Sequence, residues 1–192
     1  MINIILASQS PRRKQLLEQA EISFQTKTVH TNEDFPADMD VALVPLYIAR
    51  HKALAVKQSL NDAEKKQSLI IAADTVVVLD NQIIGKPGDE ADAIHILSRL
   101  SGRRHEVITG AFLLLDQQEV SISETTAVYF NELSEEQISH YVHRYQPFDK
   151  AGAYAIQEWI GLIGIQKIEG DFYNVMGLPV NKVLKAIAQL KD

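Results

Sequence analysis

From Leu69 to Leu79 the chain reads Leu-Ile-Ile-Ala-Ala-Asp-Thr-Val-Val-Val-Leu, apolar at every position except Asp74 and Thr75. A strand this apolar cannot leave either face in water, so it belongs inside a sheet covered on both sides. Asp80-Asn81 follows it and can turn the chain into a hairpin with Gln82 to Ile84. The sheet therefore contains at least one antiparallel pair, and a purely parallel arrangement is excluded.

A covered sheet needs helices, and the flanking sequence supplies them. Ile2 to Leu6 reads as a first short strand. Ser10 can cap the helix after it, Pro11 suits the first turn, and Leu16, Leu17 and Ala20 form its buried side. Segment 43–60 carries Leu46, Ala49, Ala53, Val56 and Leu60 at three- and four-residue spacing, which predicts an amphipathic helix. Asn61 to Gln67 is the most polar stretch and reads as a surface loop. Asp89 and Asp92 open another helix, with Ile94, Leu97 and Leu100 inside and Gly102 just past its end. Two long strands are expected at 104–115 and 119–130, joined near Asp116-Gln117-Gln118. Ser134 and Gln137 form a capping box that starts a helix running to about Tyr145. A strand near 161–168 and a terminal helix from Pro179 complete the expectation: an α/β fold with a long mixed β-sheet flanked by helices.

With 192 residues, the chain can make one α/β domain or two small lobes sharing a sheet. No Gly/Ser/Pro linker separates two halves, so residues 1–192 are expected to form a single domain. Nothing approaches the roughly 18 apolar residues of a membrane helix. The N-terminal apolar run is short, lacks a basic region before it, and is followed by Pro11-Arg12-Arg13-Lys14, so it reads as a strand in a cytoplasmic protein. The absence of cysteine excludes disulfides, thiolate nucleophiles and cysteine zinc sites. A formal charge of −6 disfavours binding to a nucleic-acid polymer. Against that background, Arg12-Arg13-Lys14 is a compact basic cluster that suits a small anion.

Four blocks can carry chemistry. In Ser8-Gln9-Ser10-Pro11-Arg12-Arg13 a strand leads into a helix whose first amides lack intrahelical partners. Those amides and the helix dipole favour an anion, and the arginine forks match phosphate oxygens. A capped surface helix with solvated arginines is the other reading. Asp74 interrupts an apolar strand, and a buried carboxylate needs a polar cleft, a cation or donors. It is either a general base or metal ligand, or a strand-end aspartate accepting backbone bonds. Gly85-Lys86-Pro87 presents a lysine on a stiffened turn, to a phosphate or to solvent. No Walker A pattern is present. In Asp149 to Gln157, Asp149 and Lys150 can pair with each other, while Gln157 can present a donor and an acceptor to a base edge. His140 and His143 do not make a zinc motif, and His105 reads as a structural hydrogen-bonding residue.

Taken together, these blocks resemble the Maf family of nucleoside triphosphate pyrophosphatases over nearly the whole chain. The order runs Ala7-Ser8-x-Ser10-Pro11-Arg12-Arg13, Glu33, Ala49-x-x-Lys52-Ala53, Ala73-Asp74-Thr75-Val76-Val77 and Gly85-Lys86-Pro87. It continues through Leu100-Ser101-Gly102-x-x-His105-x-Val107, Thr109-Gly110, Asp149-Lys150-Ala151-Gly152-x-Tyr154-x-Ile156-Gln157 and Val175-x-Gly177-Leu178-Pro179. The chain departs from the family pattern at Ala72, where Gly is expected, and at Glu158, where Gly often follows the glutamine.

The resemblance implies an inosine-triphosphatase-like fold, with two lobes and a central cleft. It implies cleavage between the α- and β-phosphates with a divalent cation, Mg²⁺ or Mn²⁺. Asp74 is then the proton acceptor and Glu33 helps it hold the cation. Arg12, Arg13, Lys52 and Lys86 then neutralise the substrate's phosphate charge, Ser8 also binds the substrate, and Arg12, Thr75 and Gln157 match positions that distinguish a branch acting on dTTP and UTP. A homodimer is the expected assembly by the same analogy, and the family's association with septum formation implies a cell-division role. The alternatives are the 7-methyl-GTP branch and a nucleotide-binding regulator of division that hydrolyses nothing. The Asp149 to Gln157 pattern disfavours the first, and the intact Glu33, Asp74 and Lys86 set disfavours the second.

Overall fold

The long central strand sits where its composition demands. A computed structural model describes residues 2–191. Its elements are β1 Asn3–Leu6, α1 Pro11–Gln19, β2 Gln25–Thr26, α2 Val44–Gln58, α3 Asp62–Gln67, β3 Ser68–Leu79, β4 Gln82–Ile84 and α4 Glu90–Leu100. After these come β5 Arg104–Leu115, β6 Gln118–Phe130, α5 Glu135–Tyr145, α6 Trp159–Gly164, β7 Ile165–Glu169, α7 Phe172–Met176 and α8 Val180–Lys191. The seven-stranded sheet has the order β2-β1-β3-β5-β6-β7, with β4 pairing to β3. β1 runs parallel to β2 and β3, while β3–β4 and β6–β7 are antiparallel, so the sheet is mixed as expected. The β3–β4 hairpin turns on Asp80 and Asn81 with φ of 51° and 59°, the left-handed pair that a two-residue hairpin requires. Among the described residues no helix is long and apolar enough to cross a membrane.

The chain divides into two compact units. The first comprises Met1–Asp74, Thr109–Glu124 and Gly177–Asp192; the second comprises Thr75–Ile108 and Thr125–Met176. In the first, Ala49, Ala53 and Val56 of α2, with Leu60 just past it, cluster with Ile5, Ala7, Ile70, Ala72, Phe112 and Leu114. Alanine at 49 and 53 keeps this helix close to the strands. Gly110 lets its start come closer still: a Cβ there would lie 2.2 Å from the Leu46 nitrogen.

In the second unit α4 packs against α5. Ala93, Ile96, Leu97 and Leu100 are its buried residues, each large one contributing about 1.5–3 kcal/mol of hydrophobic stabilisation. Ile94, expected inside, is only partly buried, as is Ala20 of α1. The start of α7 is tied down by side chains: Asn174 is fully buried and donates from Nδ2 to the Val107 carbonyl at 3.0 Å and to Thr126 Oγ1 at 2.9 Å.

Two elements differ from the sequence expectation. Asn61 to Gln67 is not a loop: Asp62–Gln67 is helical, opened by a capping box between Asn61 and Glu64, with acidic residues in its first turn and Lys65 and Lys66 in its last. Caps and charge order sustain a short helix that buries nothing. Likewise the expected strand at 161–168 begins only at Ile165, because Trp159–Gly164 is helical. Gly161 donates its N–H to the Glu158 carbonyl and passes so near the Ile156 carbonyl that a Cβ would fall 1.8 Å from that oxygen.

Candidate active site

The turn from β1 into α1 is built as the Ser-x-Ser-Pro-Arg-Arg sequence predicts. Ser10 is extended at the N-cap and accepts from the Arg13 N–H, and Pro11 opens the helix. Ser8, almost fully buried, accepts the Ser10 N–H at 3.2 Å and a bond from Arg13 Nη1 at 3.2 Å. Arg13 is therefore not a solvated surface residue. It is 8% exposed, and its Nε donates to the Gly177 carbonyl at 2.8 Å. Burial lowers its pKa; Asp74 raises it, Arg12 lowers it and Glu33 raises it, in that order of size. A guanidinium keeps its charge under such pressure, so Arg13 is a fixed cation facing the two carboxylates. Arg12, beside it, is partly buried.

Asp74 lies on β3 at the point where the buried pattern opens to partly buried positions. It does not rest on backbone donors. Its Oδ1 accepts from Lys52 Nζ at 2.8 Å, and Lys52 Nζ also lies 2.7 Å from Glu33 Oε1. The helix α2 carries Lys52 one residue before the buried Ala53, and its ammonium reaches the strand. The Lys52 and Asp74 side chains are 16% and 14% exposed, so the pair is sheltered from solvent screening.

Glu33 and Asp74 converge on one nitrogen, which is the donor chemistry of a hard-cation site: two carboxylates aimed at a common positive charge. Among the described residues no group of three or more His, Asp or Glu side chains could hold a metal. The pair fits magnesium or manganese only when further oxygens come from a bound phosphate, which is the usual manner of magnesium.

Thr75, Lys86 and Gln157 belong to the second unit. Thr75 follows Asp74 directly and is partly buried; Lys86 and Gln157 are exposed. The segments that carry the last two are joined: the Gly152 N–H donates to the Gly85 carbonyl at 3.0 Å. Gly152 has φ of 69°, and a Cβ there would meet Val77 at 2.8 Å, so only glycine fits.

Asp149 and Lys150 pair at 2.8 Å, as the sequence allowed. His143 pairs with Glu90 at 2.9 Å, and His140 meets the Trp159 ring edge-on. His105 is structural: it is 1% exposed, and its Nε2 lies 2.7 Å from the Tyr154 hydroxyl. Burial, with Arg104 adding to it, pushes the imidazole pKa down to about 3, while burial pushes the Tyr154 phenol up. The contributions of the Gly177 and Gly85 carbonyls were beyond sequence reasoning, since nothing local marks a backbone oxygen as a partner.

The fold and this cluster define an α/β protein in which two carboxylates meet one lysine beside a buried arginine. Comparison with known proteins narrows the class. The family model described as Maf-like protein matches residues 3–190. A dTTP/UTP pyrophosphatase of Cytophaga hutchinsonii is 48% identical over 188 residues, covering 98% of this chain and 84% of that one. Its counterpart in Porphyromonas gingivalis is 47% identical over 190 residues, covering 98% and 93%. That of Bacteroides thetaiotaomicron is 44% identical, covering 97% and 95%. Among solved structures, a nucleoside-triphosphatase / dITP/XTP pyrophosphatase from Mycobacterium abscessus is a distant likeness, with a TM-score of 0.42 and 16% identity over 69% of this chain and 76% of that one. The chain belongs to the Maf-like family.

Proposed function

We propose that this protein is a nucleoside triphosphate pyrophosphatase that hydrolyses dTTP and UTP to the monophosphate and diphosphate. The observation that carries the reading is the Glu33–Lys52–Asp74 cluster beside buried Arg13, in a chain whose full-length relatives are named for that activity. Asp74 accepts a proton from water through Oδ2 as the water oxygen attacks the α-phosphorus. The bond from that phosphorus to the bridging oxygen breaks, and diphosphate leaves with the electron pair. Lys52 orients the Asp74 carboxylate through its 2.8 Å bond to Oδ1. Arg12, Arg13, Lys52 and Lys86 neutralise phosphate charge, and Ser8 fixes Arg13. A divalent cation held by Glu33 and Asp74 would stabilise charge on the leaving diphosphate.

Thr75 and Gln157, which can each donate and accept, and Arg12, which only donates, read the carbonyl–N–H–carbonyl edge of uracil and thymine. Cytosine inverts N3 to an acceptor and replaces a carbonyl with an amine, so a site paired to the uracil edge is left with unmatched groups and rejects it. The same reading takes the protein to be a cytoplasmic homodimer acting on free nucleotides rather than on a nucleic-acid polymer, in keeping with a house-cleaning role.

Diphosphate release over a panel of UTP, dTTP, CTP, ATP, GTP and 7-methyl-GTP tests the proposal. UTP and dTTP should lead. Preference for GTP or its 7-methyl form would overturn the choice of branch, and no release from any of them would overturn the enzyme.

A further inference from the structure

Glu158 stands where the family pattern often has glycine, directly after Gln157, and the structure gives it three links. It caps the start of α6 in an extended conformation. Its Oε2 accepts a hydrogen bond from the Tyr141 hydroxyl, and its Oε1 lies 3.6 Å from Lys150 Nζ. Tyr141, on α5, is fully buried, and the same hydroxyl accepts the Ala155 N–H at 3.2 Å. Lys150, itself 8% exposed, closes the chain of contacts on Asp149 at 2.8 Å. One phenol oxygen thus fixes the backbone two residues before Gln157 and the side chain one residue after it. The Glu158 N–H donates to the Ala155 carbonyl at 3.1 Å, which closes the turn on itself. The exposed Gln157 side chain rides on a turn held from both ends.

We propose that Tyr141, Glu158 and Lys150 are positioning residues for substrate selection: they set the direction in which Gln157 is presented, and so sharpen discrimination between uracil-type bases and cytosine. The inference rests on the reading of Gln157 as a base-contacting residue. Base readout needs a donor and an acceptor placed to within a fraction of a hydrogen-bond length, and a turn defined only by its own backbone does not supply that. A buried phenol with both hydrogen-bonding roles used, clamped by an acid and a lysine, does. None of the three need touch the nucleotide.

The experiment compares kcat and KM for UTP and CTP in the wild type, Tyr141→Phe, Glu158→Gln, Gln157→Ala and the Tyr141→Phe/Gln157→Ala pair. Tyr141→Phe keeps the ring and removes the bonds to Ala155 and Glu158. It should lower kcat/KM for UTP about tenfold, mainly through KM, and narrow the UTP/CTP ratio by a similar factor. Glu158→Gln, which still accepts from the phenol but loses the lysine charge, should move the ratio less. The double variant should have the same ratio as Gln157→Ala alone, because the clamp acts through Gln157. Equal losses on UTP and CTP in both Tyr141→Phe and Glu158→Gln would overturn the proposal, as would a ratio in the double variant that falls below that of Gln157→Ala. If Gln157→Ala itself leaves the ratio unchanged, the base-reading assignment fails first and takes the clamp with it.

Discussion

Asp74→Asn separates the chemistry of the cluster from its architecture. The amide is nearly the same shape and its Oδ1 can still accept from Lys52, whose ammonium also keeps Glu33 at 2.7 Å. Exchanging a charged acceptor for a neutral one weakens the 2.8 Å bond by about 1 kcal/mol. For a chain of this size that is a fall in melting temperature of about 2–4 °C. The chemical cost is larger. An amide oxygen cannot take a proton from water at neutral pH, and general-base help is worth about 10²–10⁴-fold in rate. The two effects are read separately: a thermal melt for the fold, calorimetric binding of a non-hydrolysable UTP analogue for the site, and single-turnover diphosphate release for the step. The variant should melt within a few degrees of the wild type, bind the analogue, and turn over at least a hundredfold slower. A rate within tenfold of the wild type would refute Asp74 as the base, and loss of analogue binding would reassign it to holding substrate.

Three more outcomes are expected. Gly110→Ala places a Cβ within 2.5 Å of the Pro45 and Leu46 backbone and should cost about 3 kcal/mol or more, seen as a melting point lowered by roughly 10 °C; a shift under 2 °C would contradict the close packing of α2 on β5. Folded His105 holds no proton above about pH 3, whereas the unfolded chain binds one below about pH 6.5. Its contribution to stability is therefore full above pH 6.5 and lost as pH falls toward 3, by about 1.4 kcal/mol per unit. Urea unfolding at pH 6.5 and pH 5 should show His105→Gln losing about 2 kcal/mol less than wild type across that interval, and equal losses would remove His105 from the acid response. Excess chelator should abolish diphosphate release, and magnesium or manganese should restore it; undiminished turnover in EDTA would return Glu33 to the role of a partner for Lys52.

The sequence was most informative where the signal is local. The apolar run of β3, the alanine-lined face of α2, the Asp80-Asn81 turn and the Ser134–Gln137 box each state their element within a few residues, and each is present. The same kind of box at Asn61 and Glu64 is masked by the polarity of its stretch, although a short helix held by its caps has no need of an apolar face. At 160–164 a brief apolar run fits strand or helix equally, and contacts of Gly161 with residues on the preceding turn decide it. For the site, chemically distinctive residues were legible: Arg13 and Asp74 were each singled out from their surroundings. Their partnerships were not. Arg13 meets the carbonyl of a residue 164 positions away, and the Lys52 ammonium joins a helix, a loop and a strand that no sequence window spans together.

The bond from Gly152 to the Gly85 carbonyl has an evolutionary consequence. In the proposed reading Lys86 serves the phosphates and Gln157 the base, and the segments bearing them are stitched by a backbone bond that depends on glycine at 152. A lineage drifting toward another nucleobase is then freest to change the side chain at 157, or the Tyr141 and Glu158 contacts that hold its turn, since neither removes this bond.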